Sequence, residues 1–260
     1  MNIQYVLLII ISIVLLVNAY IRLHSRFWSK QPVFHTYKPL YWFKAPCIIS
    51  PSLPSSNNKF YSRNVNTITM KALYDPSVNN ADSSVSGTSD IQAIENLLYR
   101  EYLRTETVTY NPTWKNVQPY FTGHVDKCYI STYKKLKSIT GEKNIIGVIT
   151  SRPVYIYLEG MHTDTTKNRN SPIISYYVDY LCVNKENRGK DIAPKLIQTH
   201  EYNQRHGSKC IQTSIFKREG VLIPSIVPLL IYRVYVFDIM AWRRPMRFSN
   251  PNMNVVEITS

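Results

Sequence analysis

At 260 residues the chain is long enough to bury a core of its own, as one domain or two small ones. Its 31 Lys plus Arg against 17 Asp plus Glu give a formal charge of +14. Such a charge attracts nucleic acid, anionic lipid or phosphorylated cofactors, and a solvated basic surface accounts for it equally well. No RNP box, zinc-finger spacing or basic repeat is present, which ranks nucleic acid low and leaves no metal expected. Four scattered cysteines (Cys47, Cys128, Cys182 and Cys210) without a CxxC pair read as reduced thiols in a cytosolic setting.

The chain begins with an uncharged run, Ile3–Ile21, dominated by Ile, Leu and Val. As a helix it spans about 28 Å, close to the ~30 Å hydrocarbon core of a bilayer. The start Met-Asn-Ile-Gln lacks the basic region of a cleaved signal, and Val17-Asn18-Ala19 is a poor cleavage site. Arg22, His24, Arg26 and Lys30 follow directly, and positive charge stays on the cytoplasmic side. The expectation is an uncleaved single-pass anchor over residues 1–22 with the body in the cytoplasm; a removed signal peptide is the alternative.

Residues 26–248 are expected to form one body, with 249–260 a tail. Phe27–Lys44, aromatic and Pro-containing, predicts an extended arm lying on that body. Ile49–Asn58 and Asn79–Asp90 are polar and read as loops. Ser89-x-x-Gln92 suits a capping box, and Ile91, Ile94, Leu97, Leu98 and Tyr102 recur at helical spacing, so Ile91–Leu103 reads as an amphipathic helix. Asn144–Thr150 and Val154–Leu158 are β-branched runs separated by Ser-Arg-Pro and read as a hairpin. Gly160–Ser171 is a polar loop. Ile173–Val183 is a long strand, and Cys210–Phe216 and Ile231–Ile239 suggest two more.

The stretch Val178–Ile197 carries the strongest chemical signal. A strand leads through a short polar loop into a helix start, where backbone amides point outward and the helix dipole favours anions. Arg188 and Lys190 flank Gly189, which has no Cβ to hold a diphosphate away from the backbone. Ile192, Ala193, Leu196, Ile197 and His200 share one side of the following helix, and Pro194 is tolerated in its first turn. His200 and His206 read as packing and surface residues.

The Arg-Gly-Lys-x-Ile-Ala turn resembles the acyl-CoA-binding turn of GNAT acyltransferases. The longer string Leu181-Cys-Val-x-Lys-x-x-Arg-Gly-Lys-x-Ile-Ala-Pro-x-Leu-Ile197 resembles the signature of the eukaryotic-type N-myristoyltransferase family. Phe27-Trp28-x-x-Gln31-Pro32-Val33, Gly147-Val148-Ile149-x-x-x-Pro153 and Gly220-Val221-x-x-Pro224 resemble further segments of that family in the same order. The resemblance implies an α/β fold: a single GNAT-like mixed sheet flanked by helices, here preceded by one transmembrane helix. It implies acyl-CoA, myristoyl-CoA in particular, as co-substrate and a peptide or protein amino terminus as acceptor partner.

Carried over residue by residue, the resemblance puts acyl-CoA contacts at Arg26, Phe27 and Trp28 in the arm. It continues them at Tyr180, Leu181, Cys182 and Val183 in the strand, then at Gly189, Asp191, Ile192 and Ala193 in the turn. The backbone amides of Tyr180 and Leu181 fall on the family's oxyanion hole. Asp191 departs from the family's basic residue, since a carboxylate near phosphates is unfavourable unless it turns away; as a charge at a helix N-terminus it would instead favour the dipole. The family's base, a chain-terminal carboxylate, follows a second GNAT-like half that this sequence does not contain. Ser260 and Asp179 are the substitutes considered, Asp179 standing where the family commonly has Asn. The family's His has no counterpart in Tyr232-Arg233-Val234, and its acidic peptide-binding cluster corresponds to Arg104-Thr105-Glu106-Thr107, with one carboxylate, which implies a different acceptor preference. The sequence thus predicts an acyl-CoA-dependent N-acyltransferase. A non-catalytic acyl-CoA-binding membrane protein and a GNAT acetyltransferase for a small amine are the alternatives.

Overall fold

The computed structural model describes residues 3–38, 43, 48–74, 87–103, 110–136, 143–157, 172–218, 222–233 and 235. The uncharged amino-terminal run forms α1 (Ile3–His24), 22 residues with none buried. At ~1.5 Å per residue it reaches about 33 Å, and among the described residues it is the helix long and apolar enough to cross a membrane.

The arm after α1 is anchored by its aromatic rings. Phe27 is buried, meeting Phe60 edge-on with centroids 5.2 Å apart, while Trp28 stacks on Phe216 at 5.0 Å. Farther along, His35 is fully buried and forms an isolated antiparallel bridge with Ile226. Its ring nitrogens lie 3.3 Å from the Ser225 carbonyl and 3.1 Å from that of Gln31. The described part of the arm therefore packs on the body as the aromatic composition predicts.

Five strands form one mixed sheet in the order β1 (Val65–Thr69), β2 (Tyr129–Leu136), β3 (Lys143–Ile156), β4 (Ile173–Val183) and β5 (Ser214–Phe216). The first four are antiparallel neighbours and β5 runs parallel to β4. The fold class is α/β, a single mixed sheet flanked by helices, as the sequence predicted. β4 has the predicted bounds. β1 and β2 carry no expectation from the sequence: β1 is short, and both mix Thr with Asn or Ser among their apolar residues, which blurs alternation.

The predicted hairpin is instead the single 14-residue strand β3. Its register explains how Pro153 is accommodated. β2 pairs with β3 only as far as Ser151, and from Arg152 to Ile156 the partner is β4 alone. Pro153 thus lies where the strand is an edge on one side and a missing amide costs no ladder hydrogen bond. The predicted strand Cys210–Phe216 shortens to β5 because Ile211 turns into a cluster with Tyr129 and Tyr176, its amide donating to Ser208 O at 3.2 Å. Residues 231–233 form no strand, and most of the predicted Ile231–Ile239 segment lies outside the described residues, as do the Gly160–Ser171 loop, Gly220-Val221, Arg104–Thr107 and Ser260.

Consecutive residues Val148 and Ile149, and Cys182 and Val183, belong to different apolar clusters, so the sheet is covered on both faces. One face packs α2 (Met70–Tyr74), α3 (Gly87–Glu101) and α4 (Trp114–Val117) through Met70, Leu73, Ile94, Leu98 and Val117. α3 starts earlier than expected, leaving Ser89 inside the helix rather than at its cap. Asp90 in its first turn meets Lys134 at 2.7 Å, a negative charge on the favourable end of the dipole. It ends at Glu101, with Leu103 in the left-handed region at φ +46°.

The other face carries α5 (Ile192–Gly207) through Ile192 and Leu196. Gly147 lets this helix approach: a Cβ there would lie 2.8 Å from Leu196 Cδ1 and 3.3 Å from Ile192 Cγ2. A buried polar line fixes its rotation. His200 bridges Ser131 Oγ at 2.7 Å and Ser151 Oγ at 2.8 Å, and burial pushes its imidazole down to about 3. It is a neutral packing residue, in keeping with the sequence reading.

The chain divides into two compact units, Met1–Val227 and Pro228–Ser260. In the second, the described residues form no helix or strand.

Candidate acyl-CoA site

β4 loses its neighbour part-way along. Val178 is the last residue paired with β5, opposite Phe216, so among the described residues Asp179–Val183 have β3 on one side only. In that half the ladder slips. Val148 pairs with Cys182 and Thr150 with Asp179, which sets Tyr180 and Leu181 together against Ile149. This is a β-bulge, a device that re-aims backbone groups beside an open edge.

The bulge is held by side chains. Tyr180 takes the left-handed conformation at φ +47°, which costs a non-glycine residue about 1–2 kcal/mol. Burial of its ring offsets that cost: Tyr102 and Phe121 rings lie 5.2 and 6.3 Å away, and Tyr110 Oη lies 3.4 Å from its hydroxyl. Burial also pushes the Tyr180 phenol well above its usual range, so it stays protonated. The Thr150 hydroxyl donates to Asp179 O at 3.0 Å. The Tyr180 amide donates to Asp179 Oδ1 at 2.8 Å, and the same oxygen accepts from Tyr102 Oη at 3.1 Å. An anionic oxygen therefore rests on the first of the two amides predicted to bind an oxyanion. Leu181, beside it, is 37% exposed.

Beyond Val183 the chain enters the predicted turn. Asn184 N donates to Ile146 O at 2.9 Å, fixing the exit from the sheet, and Asn184 Oδ1 accepts from Glu186 N at 2.9 Å. Gly189 has φ +77°, and a Cβ there would meet nothing within 4 Å. Its glycine is thus required by backbone conformation, over open space. Asp191 is also left-handed, at φ +56°, exposed, and makes no capping hydrogen bond. The amides of Ile192 and Ala193 head α5, and Lys195 N makes the first return bond, to Asp191 O at 3.1 Å.

The two flanking cations serve the loop itself. Arg188 Nε donates to Val183 O at 3.0 Å, and its Nη2 reaches Glu101 O and Oε2 at 3.3 and 3.1 Å. It ties the turn to the C-terminal carbonyl of α3, the end that favours a cation. Lys190 Nζ donates to Glu186 O at 2.9 Å.

No protein-family profile and no curated protein matches the sequence. Among solved structures, Saccharomyces cerevisiae N-myristoyltransferase with bound myristoyl-CoA is similar at 18% identity and a TM-score of 0.48, over 76% of this chain and 41% of that one. A second crystal structure of that enzyme with myristoyl-CoA gives 17% and 0.46, over 74% and 38%. A Bacillus halodurans protein, BH1408, gives 15% and 0.29, over 59% and 81%. This chain spans about two fifths of the length of the yeast enzyme.

The structure thus brings Tyr180, Leu181, Cys182 and Val183 into one strand that feeds directly into Arg188–Ala193. Trp28 reaches the same open edge by stacking on Phe216, the β5 residue paired with Val178, while Arg26 is exposed. Ile192 is buried against the sheet rather than turned to the open side, so only its amide is available to an anion. Cys182 is buried, and its thiol is pushed up to about 12 by desolvation. It is no thiolate nucleophile at neutral pH.

Three residues at the bulge escaped the sequence reading. Tyr102 was read as part of the apolar stripe of α3, and Thr150 and Arg152 as flanking or forming a turn. The β3–β4 register places Thr150 and Arg152 beside Asp179, and Tyr102 reaches it from the end of α3 through its hydroxyl.

Proposed function

We propose that this chain is an acyl-CoA-dependent N-acyltransferase that moves a long acyl chain to an amine, an amino-terminal glycine in particular. The observation that carries the reading is the continuous path from the Tyr180–Leu181 bulge into the Gly189 turn. An open strand edge at a β-bulge leads, eight residues on from Leu181, to Gly189 with open space beside it, and then into the N-terminus of α5. The first would polarise a thioester carbonyl, and the second would hold a diphosphate. Arg188 and Lys190 add positive potential around Gly189.

In this reading the thioester oxygen takes the Tyr180 amide from Asp179. The freed carboxylate accepts a proton from the acceptor ammonium. The amine then forms the new C–N bond, the C–S bond breaks, and coenzyme A leaves as a thiol with the second nitrogen proton; Asp179 returns its own to water. Ser260, the other substitute base, is not needed in this scheme.

A second reading has its own support. A carboxylate already seated on the Tyr180 amide is what a protein that binds acyl-CoA without turning it over would tolerate. One experiment separates the two. The full chain in detergent is offered labelled myristoyl-CoA or acetyl-CoA with glycine-initiated peptides, and binding and transfer are both measured. Myristoyl transfer is expected. Binding without transfer would leave the non-catalytic reading, transfer from acetyl-CoA alone would favour a small-amine acetyltransferase, and no acyl-CoA binding would end the proposal.

We further propose that α1 anchors the protein with the body in the cytoplasm, since Arg22, Arg26 and Lys30 follow the apolar run. Protease protection of the body in sealed microsomes would contradict this orientation.

A further inference from the structure

Arg152 stands on β3 opposite Tyr177, and Thr150 opposite Asp179. Arg152 and Asp179 are therefore diagonal neighbours on adjacent strands, a spacing of ~7–8 Å between backbones. The guanidinium carbon lies 5.2 Å from the Tyr177 ring centroid and 5.7 Å from that of Tyr120. Two ring faces hold it, and they leave its in-plane N–H groups directed elsewhere.

No acid neutralises it among the described residues. The ion pairs there are Lys134–Asp90, Arg188–Glu101 and Arg205–Glu201, and the Arg152 Nε is shielded from solvent without a hydrogen-bond partner. A guanidinium beside two tyrosine rings, with its Nε shielded and without an acceptor, can meet a carboxylate with two parallel hydrogen bonds. Asp179 beside it supplies the opposite charge.

We propose that Arg152 and Asp179 form an acceptor subsite that selects a primary amine followed closely by an anionic group, such as a glycine-initiated peptide with Asp or Glu in second place. The inference rests on the acyltransferase reading above. Asp179 meets the ammonium and Arg152 the acidic side chain, so the two ends of the acceptor are read by opposite charges. The chain's excess of positive charge favours the same class of partner.

The test compares Gly-Asp, Gly-Glu, Gly-Ala and Gly-Lys peptides as acceptors for the full chain, with myristoyl-CoA affinity measured separately by displacement of a fluorescent acyl-CoA. The wild type is expected to favour the acidic peptides by ~10-fold or more over Gly-Ala in kcat/KM, the worth of one charge-assisted pair. Arg152→Gln should bring that ratio near one through KM, with myristoyl-CoA affinity retained. Arg152→Lys, which keeps the charge but not the planar fork, should keep part of the preference. Transfer with no acidic preference, or a preference that survives in R152Q, overturns this inference and leaves the acyltransferase reading standing. Absence of acyl-CoA binding removes both.

Discussion

The Asp179 carboxylate sits 2.8 Å from the backbone nitrogen of Tyr180, the residue next to it in the chain. A side chain thereby caps its own neighbour's amide at the one point where β4 bulges. Asp179→Asn would keep an oxygen there but remove its charge, and a charge-assisted bond is about twice as strong as a neutral one. A thioester oxygen should displace the amide oxygen more readily, so the Kd for myristoyl-CoA is expected to fall ~5-fold. Transfer should slow by ~100-fold or more, because the proton acceptor is lost. Binding and single-turnover assays on the same variant read the two effects; unchanged transfer would remove Asp179 from the mechanism.

His200 couples the sheet to acid. Its folded pKa of about 3 lies below the ordinary value of 6.5 because burial disfavours the charged ring. The unfolded chain binds the extra proton first, so the stabilisation is complete above pH 6.5 and is lost as pH falls toward 3. The slope in that window is about 1.4 kcal/mol per pH unit. Neighbouring Glu201, whose carboxyl burial pushes up, acts in the opposite sense, so the comparison must be with a variant. Urea midpoints between pH 7.5 and 5 should fall more steeply for wild type than for His200→Asn. His200→Ala, which strands the Ser131 and Ser151 hydroxyls, should cost about 2–4 kcal/mol at pH 7.5.

At Gly147 the test is steric. Its missing Cβ would press on Leu196 and Ile192, so Gly147→Ala should destabilise the fold by about 1–3 kcal/mol, as overpacking of a filled core does. Equilibrium denaturation measures it. An unchanged midpoint would mean that α5 yields easily.

Gly189 differs in kind, because nothing stands near its absent Cβ and only its φ of +77° resists substitution. Gly189→Ala should cost about 1–2 kcal/mol of stability. Its effect on myristoyl-CoA affinity should be larger, ~10-fold or more, as the methyl group enters the space a diphosphate would occupy. A variant that loses stability but binds normally would place the coenzyme elsewhere.

Local chemistry was legible in the sequence where it is local in the structure. The bounds of β4 follow from a long run of Ile, Tyr and Val, and the turn from Gly189 and the cations around it. The arm's docking follows from the apolar character of Phe27 and Trp28. What the sequence hid depends on register between strands. The bulge exists only because Thr150 faces Asp179 while Val148 faces Cys182, and no one-dimensional pattern contains that offset. Pro153 made a turn the natural reading of Ser151–Pro153, since its tolerance in a strand depends on where β2 stops. Arg152 was lost with it. The two strands β1 and β2 were missed because their buried hydroxyls, Ser131 above all, serve the His200 line rather than an apolar face.

The bridge between His35 and Ile226 also orders events in time. The groups it joins lie about 190 residues apart in the chain, so a large loop must close before the arm can settle. During synthesis the amino-terminal helix emerges first, while the partner of His35 is among the last residues of the first unit to appear. Until Ile226 clears the ribosome His35 has no complete seat, whereas Phe27 needs only Phe60 and Trp28 only Phe216. The His35 end of the arm is therefore a late-fastening strap, and truncation before Ile226 would leave that end undocked on an otherwise folded sheet.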